Sequence, residues 1–593
     1  MAIAGTITKA DLVETKKADW TELRWHVDQR LVAMETYRYS WWVHWREIAD
    51  YILPRRYKWL VTPNQWNRGS PINQRIINNT ATMALRNLAA GLMSGITSPS
   101  RPWFRLGIQD TQLSQNDDVR MWLDDSTSRM MMVMAQSNYY TAKAMQLVDL
   151  PCFGTAPMLI YEDVMRDHAQ IIRCFNPCAG EYYCSTGPNF TVDVLYRKFA
   201  MTIAQIVEEF GIDNVGPDTK SMFLQGGAAL EQERIIGHAI EPNVEFTNGA
   251  GQKTGRGIPK EFAYQEVYWE YGSRDTTVLR VKGFLDAPFS CPRWDLNGND
   301  PYGRSPCMDA LGDVKSLQTL EKRAAQGLDK MVNPPMMAGI EMKNQPASLL
   351  PGDVTYVQST AQGVGFKPVF EANIRLDEIS KYIEVVVGRI KDTLFNDLFL
   401  MISNLDTVRT ATEIDARKEE KLMMLGPVLE RFQTESLGPD IRRIYNIMMR
   451  NGLFMKPPPV MMGMTVEPQY ISSLADQQRA SITTAIERFV AFVGNLAGAD
   501  SSAVDKVDFD AVIDEYGDAL RVPAKAIRSG SRLAAVREAR QKQSQAVAAQ
   551  QQSMAAVQGA QTLSETDVGG GQNALQMMLQ GGGLGAAPPA GNA

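Results

Sequence analysis

The chain has 593 residues, 44% of them hydrophobic and 22% charged, an ordinary globular composition that disfavours a disordered chain, a collagen-like fibre or a polar solenoid. At roughly 150 residues per domain it has room for about four structural units. Its 61 basic and 67 acidic residues leave a formal net charge of −6, which argues against a protein that grips DNA phosphates tightly and leaves transient contact open.

Residues 18–53 have helix-forming composition dense in tryptophan (Trp20, Trp25, Trp41, Trp42 and Trp45) and end at Pro54 before the basic run Arg55-Arg56-Tyr57-Lys58, so one long helix is expected there, anchored by aromatic packing. A second helix is predicted over 76–96, closed by Pro99 and Pro102. Within it Leu85 to Ile96 is the most apolar stretch of the chain, yet it holds Arg86, Asn87 and Ser94 and is too short to cross a bilayer. A third helix is expected over 117–137, where Met130, Met131, Met132 and Met134 suit either a core or a surface that repacks. From Met158 to Phe199 the pattern changes to short β-type runs at 158–161, 171–175, 181–184 and 192–196, read as a small antiparallel sheet. Further strands are expected at 262–271 and 276–281, after the Gly- and Asn-rich loop 248–257.

Beyond Pro306 the pattern is helical again. Leu311, Val314, Leu317, Leu320, Leu328 and Met331 recur at helical spacing until Asn333-Pro334-Pro335 ends the element. A β-and-turn insert follows, and a second helix resumes with Ile379, Ile383, Val386, Ile390 and Leu394 on one stripe. Thr410-Ala-Thr-Glu413 is a capping-box pattern opening a long helix that Gly426-Pro427 should bend, and Pro457-Pro458-Pro459 reads as a stiff boundary. Helices are expected at 474–496, 509–516, 524–527 and 532–554, and the tail from 561 is low-complexity.

The chemistry-bearing patterns are missing. There is no G-x-x-x-x-G-K-[ST] loop, no G-x-G-x-x-G between strand and helix and no G-x-S-x-G elbow, and four histidines give a catalytic triad few bases. His168, Cys174, Cys178 and Cys184 lie within 17 residues but lack the C-x2-C knuckle of a zinc site. Asp124 with Asp125, and Glu419 with Glu420, are sequence neighbours that point apart on a helix. No cofactor, metal or catalytic residue is expected. Six cysteines with no N-terminal signal segment point to synthesis in a reducing, intracellular setting.

Four segments together resemble one family, the portal or head-to-tail connector proteins of short-tailed double-stranded DNA bacteriophages. They are Trp45-Arg-Glu-Ile-Ala-Asp-Tyr-Ile-Leu-Pro-Arg55, Gly91-Leu-Met-Ser-Gly-Ile-Thr-Ser-Pro-Ser-Arg-Pro-Trp-Phe104, Pro301-Tyr-Gly-Arg-Ser-Pro306 with Ala310-Leu-Gly-Asp313, and Ala411-Thr-Glu413 with Leu425-Gly-Pro427. The resemblance implies an α+β, predominantly helical fold assembled as a ring of about twelve copies at one capsid vertex, with DNA passing along its axis. It further implies a wing at 1–305, a first stem helix at 306–332, a clip at 333–371, a second stem helix at 372–398 and a tunnel loop at 399–410. A long bent wing helix and linker at 411–467, a crown at 468–560 and a disordered Gly/Ala/Gln-rich tail at 561–593 complete it.

On this reading the candidate DNA-channel contacts are Lys315, Lys322, Lys330, Lys391, Ser403, Asn404 and Arg409, on stems whose charge is near balance, and the candidate clip contacts to adaptor or terminase are Lys343, Asn344, Gln345 and Tyr356. The implied partners are other copies of the chain, double-stranded DNA in transit, the major capsid protein and scaffold, the terminase large subunit and a tail adaptor, with no membrane. The implied place is the virion, after assembly in the host cytoplasm. The alternatives are a virion-associated metal-dependent enzyme or an ejected internal protein.

Overall fold

The computed structural model describes residues 20–56, 74–110, 113, 116–163, 170–244, 258–259, 261–273, 277–334, 336–337, 367–368, 375–396, 425–471, 485–496, 507–519 and 530–565. They fall into two compact units, one reaching to Gln478 and the other starting at Arg479.

The tryptophan-rich segment forms α1 (Thr21–Tyr51). Its apolar residues keep helical spacing but serve two cores in succession: Leu23, Val27, Leu31 and Met34 cover a β-sheet, while Trp45, Ile48, Ala49 and Ile52 enter a helical core. The second and third expected helices are α2 (Thr80–Ile96) and α3 (Asp117–Gln136), the latter capped by Asn116, whose side chain accepts from the Asp118 amide at 3.1 Å. Between α2 and α3 lies β1 (Phe104–Ile108). A helix that the periodicity did not show, α4 (Tyr139–Phe153), follows directly. It stops at Gly154, whose φ of +79° favours glycine and where a Cβ would come within 2.1 Å of the Gly303 carbonyl.

The single small sheet expected over 158–199 is instead two. β2 (Met158–Glu162), β3 (Ile172–Phe175) and β9 (Phe289–Ser290) form one, in the order β3-β2-β9. β4 (Tyr182–Thr186) and β5 (Val192–Thr202) belong to a five-stranded antiparallel sheet with β6 (Glu233–Pro242), β7 (Tyr264–Glu270) and β8 (Val278–Phe284) in sequential order. The central strand β6 was not expected, because Gly237, His238 and Glu241 break its apolar pattern. Gly237 is required there: it pairs with Trp269, and a Cβ would meet the indole at 2.3 Å. Two short helices, α5 (Ile203–Phe210) and α6 (Pro217–Gln225), connect β5 to β6.

α7 (Pro306–Val332) begins with the Ser305 cap and Pro306 in its first turn. β10 (Met336–Met337) and β11 (Lys367–Pro368) pair antiparallel, and α8 (Leu376–Thr393) returns. Later, helical residues 425–432 and a π-helical turn at Gln433–Leu437 run without a break into α9 (Gly438–Arg450). β12 (Val466–Tyr470) then pairs with β1 across the whole unit, so the tri-proline lies inside this unit and does not bound it. Trp122 reinforces that closure by donating to the Met455 carbonyl at 2.9 Å.

The second unit contains helical residues 485–496, α10 (Phe509–Ala519) and α11 (Gly530–Glu565). α11 runs past residue 561, where a disordered tail was expected, and thus corrects the start of that tail. The bend expected at Gly426-Pro427 lies at the edge of the described residues. The capping box at 410–413 and the helix at 524–527 lie outside them.

Candidate functional site

The paired helices α7 and α8 carry the described channel candidates. Met308, Leu311, Val314 and Leu317 of α7 share one buried core with Val386, Ile390 and Leu394 of α8, and Arg389 pairs with Asp313 across the two at 3.3 Å. α7 is also clamped sideways: buried Gln318 accepts from the Ile77 and Asn78 amides at 2.7 and 2.8 Å and donates to the Asn78 carbonyl. Beyond Glu321, which accepts from the Asn78 side chain, the helix leaves the core. Leu328 and Val332 are 50% and 78% exposed, and Tyr382 and Val385 on α8 are 52% and 57% exposed. The two helices therefore pack through one half and stand in solvent through the other, with β10 and β11 joining the chain beyond their outer ends.

The candidate lysines divide by burial and not by half of the helix pair. Lys322, Lys330 and Lys391 are exposed. Lys315 is half-buried, bound to Glu47 of α1 at 2.7 Å and near the Tyr51 ring, so its contact in the folded chain is an ion pair. Along α8 and its flanks Arg375, Lys381, Arg389 and Lys391 stand against Asp377, Glu378, Glu384 and Asp392, a balanced surface. Ser403, Asn404, Arg409, Lys343, Asn344, Gln345 and Tyr356 lie outside the described residues.

The shared motifs resolve into anchors. Trp45 is buried and donates to the Phe153 carbonyl at 3.0 Å, and Trp103 donates to the Tyr140 hydroxyl at 3.2 Å. In Pro301–Pro306 the Tyr302 hydroxyl accepts from the Cys184 amide, the Gly303 amide donates to Thr155 Oγ1 and Ser305 Oγ donates to the Cys152 carbonyl, each at 2.9 Å. That one turn ties α4, β4 and the start of α7 together.

A second anchor fixes α9. Fully buried Lys143 on α4 donates to Gln146 at 2.7 Å, to Ser436 at 2.9 Å and to Asp440, and Tyr139 donates to Asp440 at 3.2 Å. Burial lowers the Lys143 ammonium below its ordinary value against the pull of Asp440. Arg293 holds Glu435 through its backbone amide at 3.0 Å and its guanidinium, and Arg443 donates to Asp286 at 2.7 Å. The π turn supplies this geometry. Pro439 has no amide hydrogen for a regular helical bond, the Gly438 amide reaches back to the Gln433 carbonyl, and the Tyr470 hydroxyl donates to that same carbonyl at 3.2 Å.

A third cluster lies in the five-stranded sheet. Arg197 Nε donates to His238 Nδ1 at 2.8 Å, so the neutral ring carries its proton on Nε2 and gives it to Glu266, also at 2.8 Å. Tyr161 and Tyr268 donate to the same carboxylate at 3.1 Å. Burial holds His238 down at about 4, Glu266 opposing and Arg197 adding to it. Burial disfavours the Glu266 charge, yet the His238 bond with Arg280 and Lys282 nearby keeps its carboxyl at about 2. Every member is engaged by another, which suits joining β2 to the larger sheet. Sequence reading missed the second and third clusters. One signal was present for the second: Lys143 and Asp149 are the only charges in residues 139–153.

The cysteines go to separate surroundings. Cys174 is buried in β3, where its backbone is bonded both ways by the Asn138 side chain. Cys178 accepts from Arg56, and burial pushes its thiol up to about 11. Cys184 faces Cys291 with sulfurs 3.6 Å apart. His168 lies outside the described residues. Among the described residues no group of three or more His, Cys, Asp or Glu could hold a metal ion, and no helix is long and apolar enough to cross a membrane.

Residues 24–527 match the family model described as bacteriophage head to tail connecting protein, and the chain belongs to that family, in which portals do structural work. It is 39% identical to the portal protein of Salmonella phage epsilon15 over 540 residues, 91% of this chain and 95% of that one. It is likewise 39% identical to the probable portal protein of Bordetella phage BPP-1 over 533 residues, 90% and 93% of the two chains.

Proposed function

We propose that the chain serves as a portal: about twelve copies form a ring at one capsid vertex, a conduit for double-stranded DNA during packaging and ejection. The observation that carries this reading is the likeness to two portal proteins over at least 90% of the chain. The geometry supports it. A helix pair with one packed and one solvent-facing half and near-balanced charge offers DNA contact without a strongly cationic wall.

In this reading residues 1–305 form the wing, 306–332 and 372–398 the stem, 333–371 the clip, 399–410 the tunnel loop, 411–467 the long bent wing helix and linker, and 468–560 the crown. Lys322, Lys330, Lys391, Ser403, Asn404 and Arg409 touch DNA transiently. Lys343, Asn344, Gln345 and Tyr356 of the clip meet the terminase large subunit and then the tail adaptor. The major capsid protein and scaffold surround the wing, and the ring assembles in the host cytoplasm before it enters the virion. The role is structural, without catalysis.

The test is negative-stain electron microscopy of the purified chain with mass measured on the same sample. Rings with a central hole and a mass near twelve chains are expected; a monodisperse monomer or dimer across salt conditions would overturn the ring.

A further inference from the structure

Two pairs of buried thiols lie beside the Pro301–Pro306 turn, and no anchor described above uses their sulfurs. Cys184 faces Cys291 at 3.6 Å, and Cys152 shares a hydrogen bond with Cys307. A cysteine in a core commonly fills space as a small apolar residue, which accounts for one sulfur at a time. Two sulfurs from positions 107 residues apart that meet face to face are also placed to react with each other.

Both backbones are held. Cys184 is paired with Leu195 in the sheet, and its amide donates to the Tyr302 hydroxyl at 2.9 Å. Cys291 stands between Ser290, paired with Met158, and Pro292, whose carbonyl accepts from the Ala156 amide at 3.3 Å. A sulfur–sulfur bond is about 2.05 Å long, so closing the gap takes about 1.5 Å shared between two side chains, which rotation about their own bonds can supply. The topology gives such a bond a consequence. β4 is the edge strand of the five-stranded sheet, and β9, directly before Cys291, is the edge strand of the three-stranded one. The bond would enclose β5 to β9 in one covalent loop.

We infer that Cys184 and Cys291 form a covalent modification site, at which a hydroperoxide converts the two thiols into one disulfide that ties the two sheets together. One sulfur attacks the peroxide: a sulfur–oxygen bond forms, the oxygen–oxygen bond breaks, and the leaving hydroxide takes the thiol proton as water. The second sulfur then attacks the sulfenic sulfur, the sulfur–oxygen bond breaks, and a second water leaves with the remaining thiol proton. Two thiols are oxidised and one peroxide is reduced to two waters. A small neutral oxidant suits a buried pair, and it meets this pair first: Cys184 and Cys291 are 2% and 4% exposed, whereas Cys152 and Cys307 are both at 0%. Burial pushes the Cys291 thiol well above its ordinary range, which keeps its thiolate scarce and the reaction slow. In the portal reading, on which the timing rests, the chain folds in a reducing cytoplasm and leaves it inside a particle, so the bond follows assembly.

Thiol counting and peptide mapping on the full-length chain test the site. The reduced protein is treated with hydrogen peroxide in native buffer, quenched with catalase, then denatured and alkylated. Two of its six thiols should be lost, and digestion should yield one peptide pair joining Cys184 to Cys291 that dithiothreitol separates. The cross-linked chain should unfold at a higher urea midpoint, because the closed loop removes freedom from the unfolded chain. Cys184→Ala and Cys291→Ala should each abolish both the linked peptide and the gain in midpoint. Both cysteines left free, oxygen retained on either sulfur without a cross-link, or a bond between Cys152 and Cys307 in its place overturns the site; the mapping uses the parent chain, so this holds whether or not the variants fold. Alkylation of released particles as they are opened tests the timing. The linked peptide should be present there and absent from chain taken from cells lysed in the same reagent. Free thiols in such particles, from a chain that closes the bond with peroxide, would overturn the timing and leave the site standing.

Discussion

Lys143 and Lys330 carry the same charge on helices, and the protein uses them in opposite ways. Lys143 is enclosed and meets Gln146, Ser436 and Asp440; Lys330 is exposed near the end of α7. Enclosing an ammonium is costly unless its hydrogens find partners, so the interior lysine fixes α9 against α4. The exterior one stays hydrated and keeps the outer helix surface near neutral. Burial, more than residue type, decides what a charge does in this fold.

The comparison breaks most readily at the interior site. Lys143→Met leaves Asp440 buried without its cation, and the expected cost is about 3–5 kcal/mol, read as a lowered urea midpoint. Adding Asp440→Leu should recover much of it, because two apolar residues replace an ion pair at small net cost. If the double variant is as unstable as the single, the ion pair is not what Lys143 contributes.

The His238–Glu266 cluster extends the comparison to pH. His238 sits at about 4 against an unfolded 6.5, so its contribution is complete above pH 6.5 and is lost as pH falls toward 4. Glu266, at about 2 against 4.5, prolongs the loss from pH 4.5 to 2. The coupled pair should account for about 3 kcal/mol over this range. His238→Gln should be less stable at pH 7 and should flatten the slope between pH 6.5 and 4. An unchanged slope would assign the acid sensitivity elsewhere.

Lys315 stands between the two extremes, half-buried and bound to Glu47. Lys315→Gln should cost about 0.2–1 kcal/mol, and only at low salt should the loss be near the upper end. A loss as large as that of Lys143→Met would mean that the hold of α1 on α7 depends on this pair and not on the apolar contacts around Trp45.

How much of this was legible in the sequence follows the same division. The helix periods of α1, α2, α3, α7 and α8 are carried by repeated apolar residues, and the structure places those elements within a few residues of where the spacing did. α4 was hidden because Lys143, Gln146 and Asp149 are buried polar residues that interrupt its stripe. β6 was hidden because its polar residues face partners on other strands. The pairing of β1 with β12 joins segments separated by the whole length of the unit, and nothing local in either strand names the other. Of the candidate lysines, spacing put Lys322, Lys330 and Lys391 on helices, but only the packing of α7 on α1 separates Lys315 from them.

The smallest effect on stability is expected where the proposed function is most exposed. Lys322→Gln, Lys330→Gln and Lys391→Gln together change surface charges that fill no cavity and complete no buried network, so unfolding midpoints should shift by no more than about 0.5 kcal/mol for each residue. Ring mass should be unaltered. What should change is the salt dependence of DNA passage: removing cations that touch phosphates lowers the slope of log rate against log salt, measured as the rate of DNA ejection from particles built with the variant. A steep slope retained by particles of normal mass would remove these three lysines from the channel wall and leave the exposed halves of α7 and α8 a role in contacts between protein surfaces.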